Sequence, residues 1–417
     1  MFHSIVYDSV IESGLIAILI FTPLAKGATE LWSVSIVNFI TLIMLVAWLL
    51  KMRSTGGFKI KKTSLDYPIL ALLVIAAAST IFSIDRTVSI SAWPKIVTYV
   101  LLFYLVVNNI NTREKIRRVA ITIICVGAFL SIFGLIEYLK GIDGSKALIT
   151  ATYAGYAGSH NHFAGYLEMA IPVAIGMSYA MTETGKRIIL GYAIMLMVVA
   201  LILSLSRGGC ASVVISMCVM GILLSRTGHF TRKVWLPLSF LSVVFVTLAI
   251  IGMNPITKRV LETRKQMEDL TNYGRIKTWE RTINIIKDHP LSGTGIGTFA
   301  AVFPRYHPPD FRLRDVYAHN DYLHMISETG IFVLPFIFCV IFNTLRSGIT
   351  TFLRTKSRFK QGIALGTVAG IVAILIHSFV DFNLHIPANA ILFIVLGSLV
   401  QVQSTRSKVH TALMTPL

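Results

Sequence analysis

The sequence predicts an all-α polytopic membrane protein of about twelve transmembrane helices, forming one domain over 1–417. Three observations carry that prediction. Of the 417 residues, 54% are hydrophobic and only 14% are charged, whereas a soluble chain carries about a quarter charged residues. The mean hydropathy is +0.71, and apolar runs recur from end to end rather than gathering into one core. Lys and Arg are concentrated in alternate loops, the pattern of a chain that crosses a bilayer repeatedly.

A hydrocarbon core of about 30 Å takes roughly 20 apolar residues in helix. Such runs lie near 10–25, 33–50, 67–84, 95–110, 119–139 and 162–181, then near 188–205, 209–225, 234–252, 322–345, 361–380 and 387–403. Pro23 and Lys26 cut the first one short. The opening MFHSIVYDSVIESG has Asp8 and Glu12, with no basic leader or small-residue cleavage site. The first span is therefore expected to stay in the mature protein.

The loops after even-numbered spans hold twenty-one basic residues, among them Lys51, Arg53, Arg113, Lys115, Arg354 and Lys356. The short odd-numbered loops hold six: Lys26, Arg86, Lys95, Lys140, Lys146 and Arg207. Bias of this kind sets orientation, so both termini are expected in the cytoplasm. A net charge of +18 would suggest nucleic acid in a soluble chain. Here it sorts by topology, and no nucleic-acid partner is expected. Cys125, Cys210, Cys218 and Cys339 lie in or beside apolar runs without CxxC spacing, which indicates neither a disulfide framework nor a zinc site.

The remaining eleven basic residues fall in one insertion between spans nine and ten, 253–321. Long loops translocate regardless of charge, so this one is expected outside, at the periplasmic face. Residues 257–270 and 276–288 read as helix, the latter with Ile276, Trp279, Ile283 and Ile286 at helical spacing. Pro290 ends that run, and SGTGIGTF reads as a glycine turn. The spans themselves are nearly free of charge.

Polar residues that could carry chemistry cluster at the outer ends of the spans. The stretch 289–330 brings Arg305, His307, Arg312, Arg314, His319, Asp321 and His324 to the mouth of span ten. His319 directly precedes the apolar run, where a near-neutral pKa suits a general base, and Asn320 or Asp321 could orient its ring. SLSRGG, 204–209, holds Arg207 at the outer interface, and a guanidinium can clamp phosphate oxygens in two places. Arg275 stands at the start of a helix, itself an anion site. His377 and Asp381 would share a face if their helix continues that far, and His385 follows beyond the turn. His160, His162 and Glu168 open span six. Without a supporting cysteine or carboxylate cluster, the two histidines suit hydrogen bonding or acceptor contact rather than a metal. An arginine-lined cavity with a histidine beside it suits transfer from a phosphate leaving group to a hydroxyl.

YAHNDYLHMISETGIFVLP resembles the histidine–asparagine motif of O-antigen ligases and O-antigen polymerases. GRIKTWERTINIIKDHPLSGTGIGTF is similar to that family's arginine–tryptophan helix and glycine turn, SRGG to its outer-turn arginine motif, and HSFVDFNLHIPANA to a late helix. Together they span 204–403. The resemblance implies a C-type glycosyltransferase fold, a lipopolysaccharide or exopolysaccharide pathway in the bacterial inner membrane, and an undecaprenyl-diphosphate-linked glycan donor. It implies a glycan or lipid A core acceptor, surrounding membrane lipid, a chain-length-regulating partner, and no metal or other cofactor. Arg207 and Arg275 would bind the diphosphate and His319 would take the acceptor proton. Asp381, His377, Asn320, Arg305 and Arg314 would support them, and His160 and His162 would face the acceptor. HNHFAGYLEMAIP and DFNLHIPAN resemble members associated with exopolysaccharide, which favours a polymerase. The alternatives are an O-antigen ligase or protein O-oligosaccharyltransferase and, from another class, a flippase or transporter.

Overall fold

In the computed structural model, residues 2–140, 160–204, 206–226, 274–306 and 317–412 are described. Every regular element among them is helical. In chain order the helices are α1 (Phe2–Leu24), α2 (Leu31–Ser54), α3 (Asp66–Ile81), α4 (Arg86–Asn109), α5 (Arg113–Lys140), α6 (His160–Ala180), α7 (Thr184–Leu203) and α8 (Arg207–Ser225). α9 covers 274–288. α10 (Asp321–Thr329), α11 (Val333–Arg354), α12 (Arg358–His377) and α13 (Pro387–Ala412) follow, with short helical turns at Lys26–Ala28, Phe299–Val302, Phe303–Tyr306 and Asn383–His385.

Nine of these helices are long and apolar enough to cross a membrane: α1, α2, α4, α5, α7, α8, α11, α12 and α13. α3 is apolar but shorter, and α6 opens on the polar run His160, Asn161, His162. The expected ninth span, 234–252, lies outside the described residues. So do the 257–270 helix, His307, Arg312 and Arg314.

The expected continuous span 322–345 is instead two helices. α10 stops at Thr329, and Gly330 turns the chain at φ +81° before α11 begins. A Cβ at Gly330 would lie 2.0 Å from the carbonyl oxygen of Leu291, so only glycine lets the two backbones meet there. The glycine turn after α9 makes the other side of this junction. Thr294 N–H donates to Ser327 O at 2.9 Å and Gly295 N–H to Glu328 O at 3.0 Å, while Ile84 N–H donates to Thr294 O at 2.9 Å. The turn thereby fixes α10 to the α3–α4 loop.

α6 and α12 lie antiparallel in the centre of the bundle. Their backbones touch where Gly176 meets Gly362 and where Pro172 and Val173 meet Gly366. Small residues every four positions allow that approach, which replaces the missing hydrophobic drive between helices in lipid by close packing. Around this pair lies an apolar core including Phe163, Leu167, Ile171, Ile363, Ile371, Ile391 and Leu396.

The spans carry more charge than expected. Because α1 begins at Phe2, Asp8 and Glu12 fall inside it. Asp8 meets Lys51 at 2.9 Å and Lys115 at 2.7 Å, and Glu12 pairs with Arg118. Glu168 of α6, fully buried, meets Nδ1 of His377 at 3.0 Å. Lys51 and Lys61 also bind Asn109 and Asn108, at the last turn of α4. One end of the bundle therefore gathers basic residues, and the opposite end holds a cluster of Arg, His, Asp and Asn side chains.

Candidate active site

At the opposite end of the bundle, Asp381 follows α12 in the loop before α13. It is almost wholly buried, with a side chain 2% exposed, and Arg275 of α9 and His319 of the loop before α10 converge on it. Arg275 Nη2 lies 3.5 Å from Oδ2 and His319 Nδ1 lies 3.5 Å from Oδ1. Asn161 of α6 donates to Oδ2 at 2.5 Å. Burial works to raise the Asp381 pKa. The His319 contact, with the charges of His162, His319 and Arg275, outweighs it and holds the carboxyl well below the usual carboxylate range.

Local structure delivers each group. Arg275 and Trp279 are one turn apart on α9, so they share a face. Trp279 Nε1 donates to the His319 carbonyl at 3.3 Å, which places the arginine and the histidine by the same helix. His319 itself has φ +50°, a left-handed conformation costing a non-glycine residue about 1–3 kcal/mol. Directly after it, Asn320 caps α10: its Oδ1 accepts from Leu323 N–H at 3.0 Å, and its Nδ2 donates to Phe379 O at 2.9 Å. Asn320 therefore ties the two loops together, and it does not orient the His319 ring as expected. Nor does Asp321, whose carboxylate meets His385. The carboxylate beside His319 is Asp381.

The SRGG turn joins the same network. Ser206 is the N-cap of α8, its Oγ accepting from Gly209 N–H at 3.2 Å, and it donates to Asn161 Oδ1 at 2.8 Å. Ser206 is thus two hydrogen bonds from Asp381, and Arg207, the next residue, is exposed at the first turn of α8. Gly208 packs on the His377 ring. α12 ends at His377 and the chain turns, with Asp381 N–H donating to His377 O at 3.1 Å. The side chains do not pair along one helix face as expected. His377 turns to Glu168 instead.

His162 is buried. It meets Asn383 Oδ1 at 3.1 Å and Phe382 edge-on at 4.5 Å, bracing the loop that carries Asp381. His160 is half-buried at the first turn of α6, and Arg305 is exposed in the turn after the short helix Phe299–Val302. Among the described residues, no three His, Cys, Asp or Glu side chains gather as metal ligands would. Asn161, Ser206 and Phe382 are contributions that sequence reasoning missed. Each lies inside a stretch already singled out, but nothing in its spacing points to a partner on a distant helix.

Residues 192–338 match the family model of the O-antigen ligase. The matched residues include Arg207, Arg275, His319 and Asp321, about a third of the chain. Asn161 and the 377–390 stretch with Asp381 lie beyond them, so the matched domain meets its buried carboxylate only through the fold. No curated protein matches the chain.

Proposed function

We propose that this protein, whose residues 192–338 resemble the O-antigen ligase family, is an inverting glycosyltransferase of the bacterial inner membrane. In this reading it moves a glycan from undecaprenyl diphosphate to an acceptor hydroxyl without a divalent metal. The observation that carries it is the meeting of Arg275 and His319 on Asp381, at 3.5 Å each, with the Arg207 turn fastened to the same carboxylate through Ser206 and Asn161.

With Nδ1 toward an ionised Asp381, His319 presents Nε2 as the base. Nε2 takes the proton of the acceptor hydroxyl as its oxygen attacks the anomeric carbon. The bond from that carbon to the diphosphate oxygen breaks, and the electron pair leaves with the diphosphate. Arg275 and Arg207 hold the charge that develops there, a role in which fixed cations are most effective. Attack opposite the leaving group inverts the anomeric centre. His319 ends protonated and is balanced by Asp381.

The gathering of basic residues at the other end of the bundle supports cytoplasmic termini and a periplasmic site. Of the possible acceptors we favour a second glycan, giving polymerisation of O-antigen or exopolysaccharide repeat units. The description of the matched family favours the second reading, a ligase acting on lipid A core. Purified protein given lipid-linked glycan in EDTA is expected to release undecaprenyl diphosphate. Adding each acceptor singly separates the readings: chain growth without lipid A core supports polymerisation, and product only with the core supports ligation.

A further inference from the structure

The two loops that bring His319 to Asp381 also make a second, reciprocal pair. Residues 317–321 supply His319 and Asp321; the loop after α12 supplies Asp381 and His385. His385 Nδ1 lies 2.6 Å from Asp321 Oδ1, closer than His319 lies to Asp381. Between the pairs, Tyr317 stacks on Phe382 at 4.2 Å with 9° between their planes. Phe382 meets His319 edge-on at 4.9 Å, and Tyr317 lies 5.5 Å from His385.

Asp321 is fixed on every side. Its other oxygen accepts from Leu384 N–H at 3.0 Å, and its own N–H donates to Ser378 O at 2.9 Å. A carboxylate held this way sets the imidazole's orientation and tautomer, so Nε2 of His385 is the nitrogen that a ligand could meet. Neighbouring His324 shows what a structural histidine looks like here. It is 3% exposed and engaged at both nitrogens, by Glu328 at 3.3 Å and by Ala318 N–H at 3.3 Å. His385 is 22% exposed, close to the 23% of His319.

We propose that His385, oriented by Asp321, binds a sugar hydroxyl of the glycan, with the Tyr317–Phe382 stack separating it from His319. The proposal rests on the transferase reading above and gives that site a saccharide contact. A hydroxyl fits better than a phosphate, because the Asp321 carboxylate behind the ring repels an anion. The two imidazoles then address different hydroxyls: His319 the one that reacts, His385 one that positions it.

The test has a binding arm and a kinetic arm. Oligosaccharide released by mild acid from the producing cells' lipid-linked glycan is titrated calorimetrically into detergent-solubilised wild type, His385→Ala and His385→Gln. His385→Ala is expected to raise Kd about tenfold, the cost of one ordinary hydrogen bond, and His385→Gln, whose amide can still meet a hydroxyl, to recover most of it. In transfer assays the KM for one saccharide substrate rises by a similar factor while kcat changes less. Whether the donor or acceptor KM moves shows whose hydroxyl is held. Equal Kd in all three proteins, or losses in both variants that track a lowered Tm, would overturn the proposal and leave His385 a brace. A wild type that binds sugar through His385 but releases no lipid diphosphate would overturn the transferase reading instead.

Discussion

Nδ1 of His319 lies 3.5 Å from Oδ1 of Asp381, and neither residue could hold that position from its own loop alone. Trp279 anchors the histidine's carbonyl, Asn320 ties its loop to Phe379, and Asn161 holds the aspartate. Asp381→Asn keeps the size and removes the charge. It leaves Arg275 without this counter-ion and His319 without its orienting carboxylate. Release of lipid diphosphate by the purified variant is expected to fall by about a hundredfold or more in kcat.

The pH dependence has a definite sign. Asp381 has a native pKa below its ordinary value of 3.8, so its stabilising contribution is fully present above 3.8 and is lost only as pH falls through the lower native value. Melting temperatures of wild type and Asp381→Asn, compared across pH, should differ by a constant amount in the neutral range. The difference should narrow only below pH 3.8. A gap that closed between about pH 5 and 7 would mean that another group is titrating.

Gly208 and Gly221 share α8 but not its surroundings. A Cβ at Gly208 would lie 2.6 Å from the His377 ring, whereas one at Gly221 meets nothing within 4 Å. Gly208→Ala should displace His377 from Glu168 and cost about 1–3 kcal/mol by overpacking. Gly221→Ala should be neutral, or stabilising by up to about 1 kcal/mol through helix propensity. Thermal unfolding in detergent reads both.

Two serine caps make a similar contrast. Ser206 caps α8 and also holds Asn161, while Ser357 caps α12 at the exposed basic end with a 3.5 Å bond. Ser206→Ala should cost about 1 kcal/mol and also slow transfer, because Asn161 loses a partner beside Asp381. Ser357→Ala should cost less and leave turnover unchanged. Melting and initial-rate measurements on the same preparations check both.

Much of the fold was legible because a bilayer demands long apolar runs, and those at 33–50, 95–110 and 361–380 coincide with α2, α4 and α12. The break at Gly330 was not, since a glycine beside an apolar run reads as tolerated until Leu291 is seen against it. The first apolar run reads as 10–25, which leaves Asp8 before it, and only the pairing of α1 with Lys51 and Lys115 places that residue inside a helix. At the site, the residue types Arg, His and Asp were readable from position. Their partners were not: Asp381 was expected with His377 from helical spacing, but α12 ends there and the carboxylate turns to His319 and Arg275. The Asp321–His385 pair joins different loops, and no local periodicity encodes such a contact.

The most direct measurement follows release of undecaprenyl diphosphate from lipid-linked glycan in EDTA, with the anomeric configuration of the product read by NMR, for wild type and His319→Ala. The expected result is an inverted linkage from wild type and a rate lower by about 10²–10⁴ in the variant. Undiminished turnover by His319→Ala, or a product that keeps the donor's configuration, would contradict the assignment of His319 as the base of a single displacement.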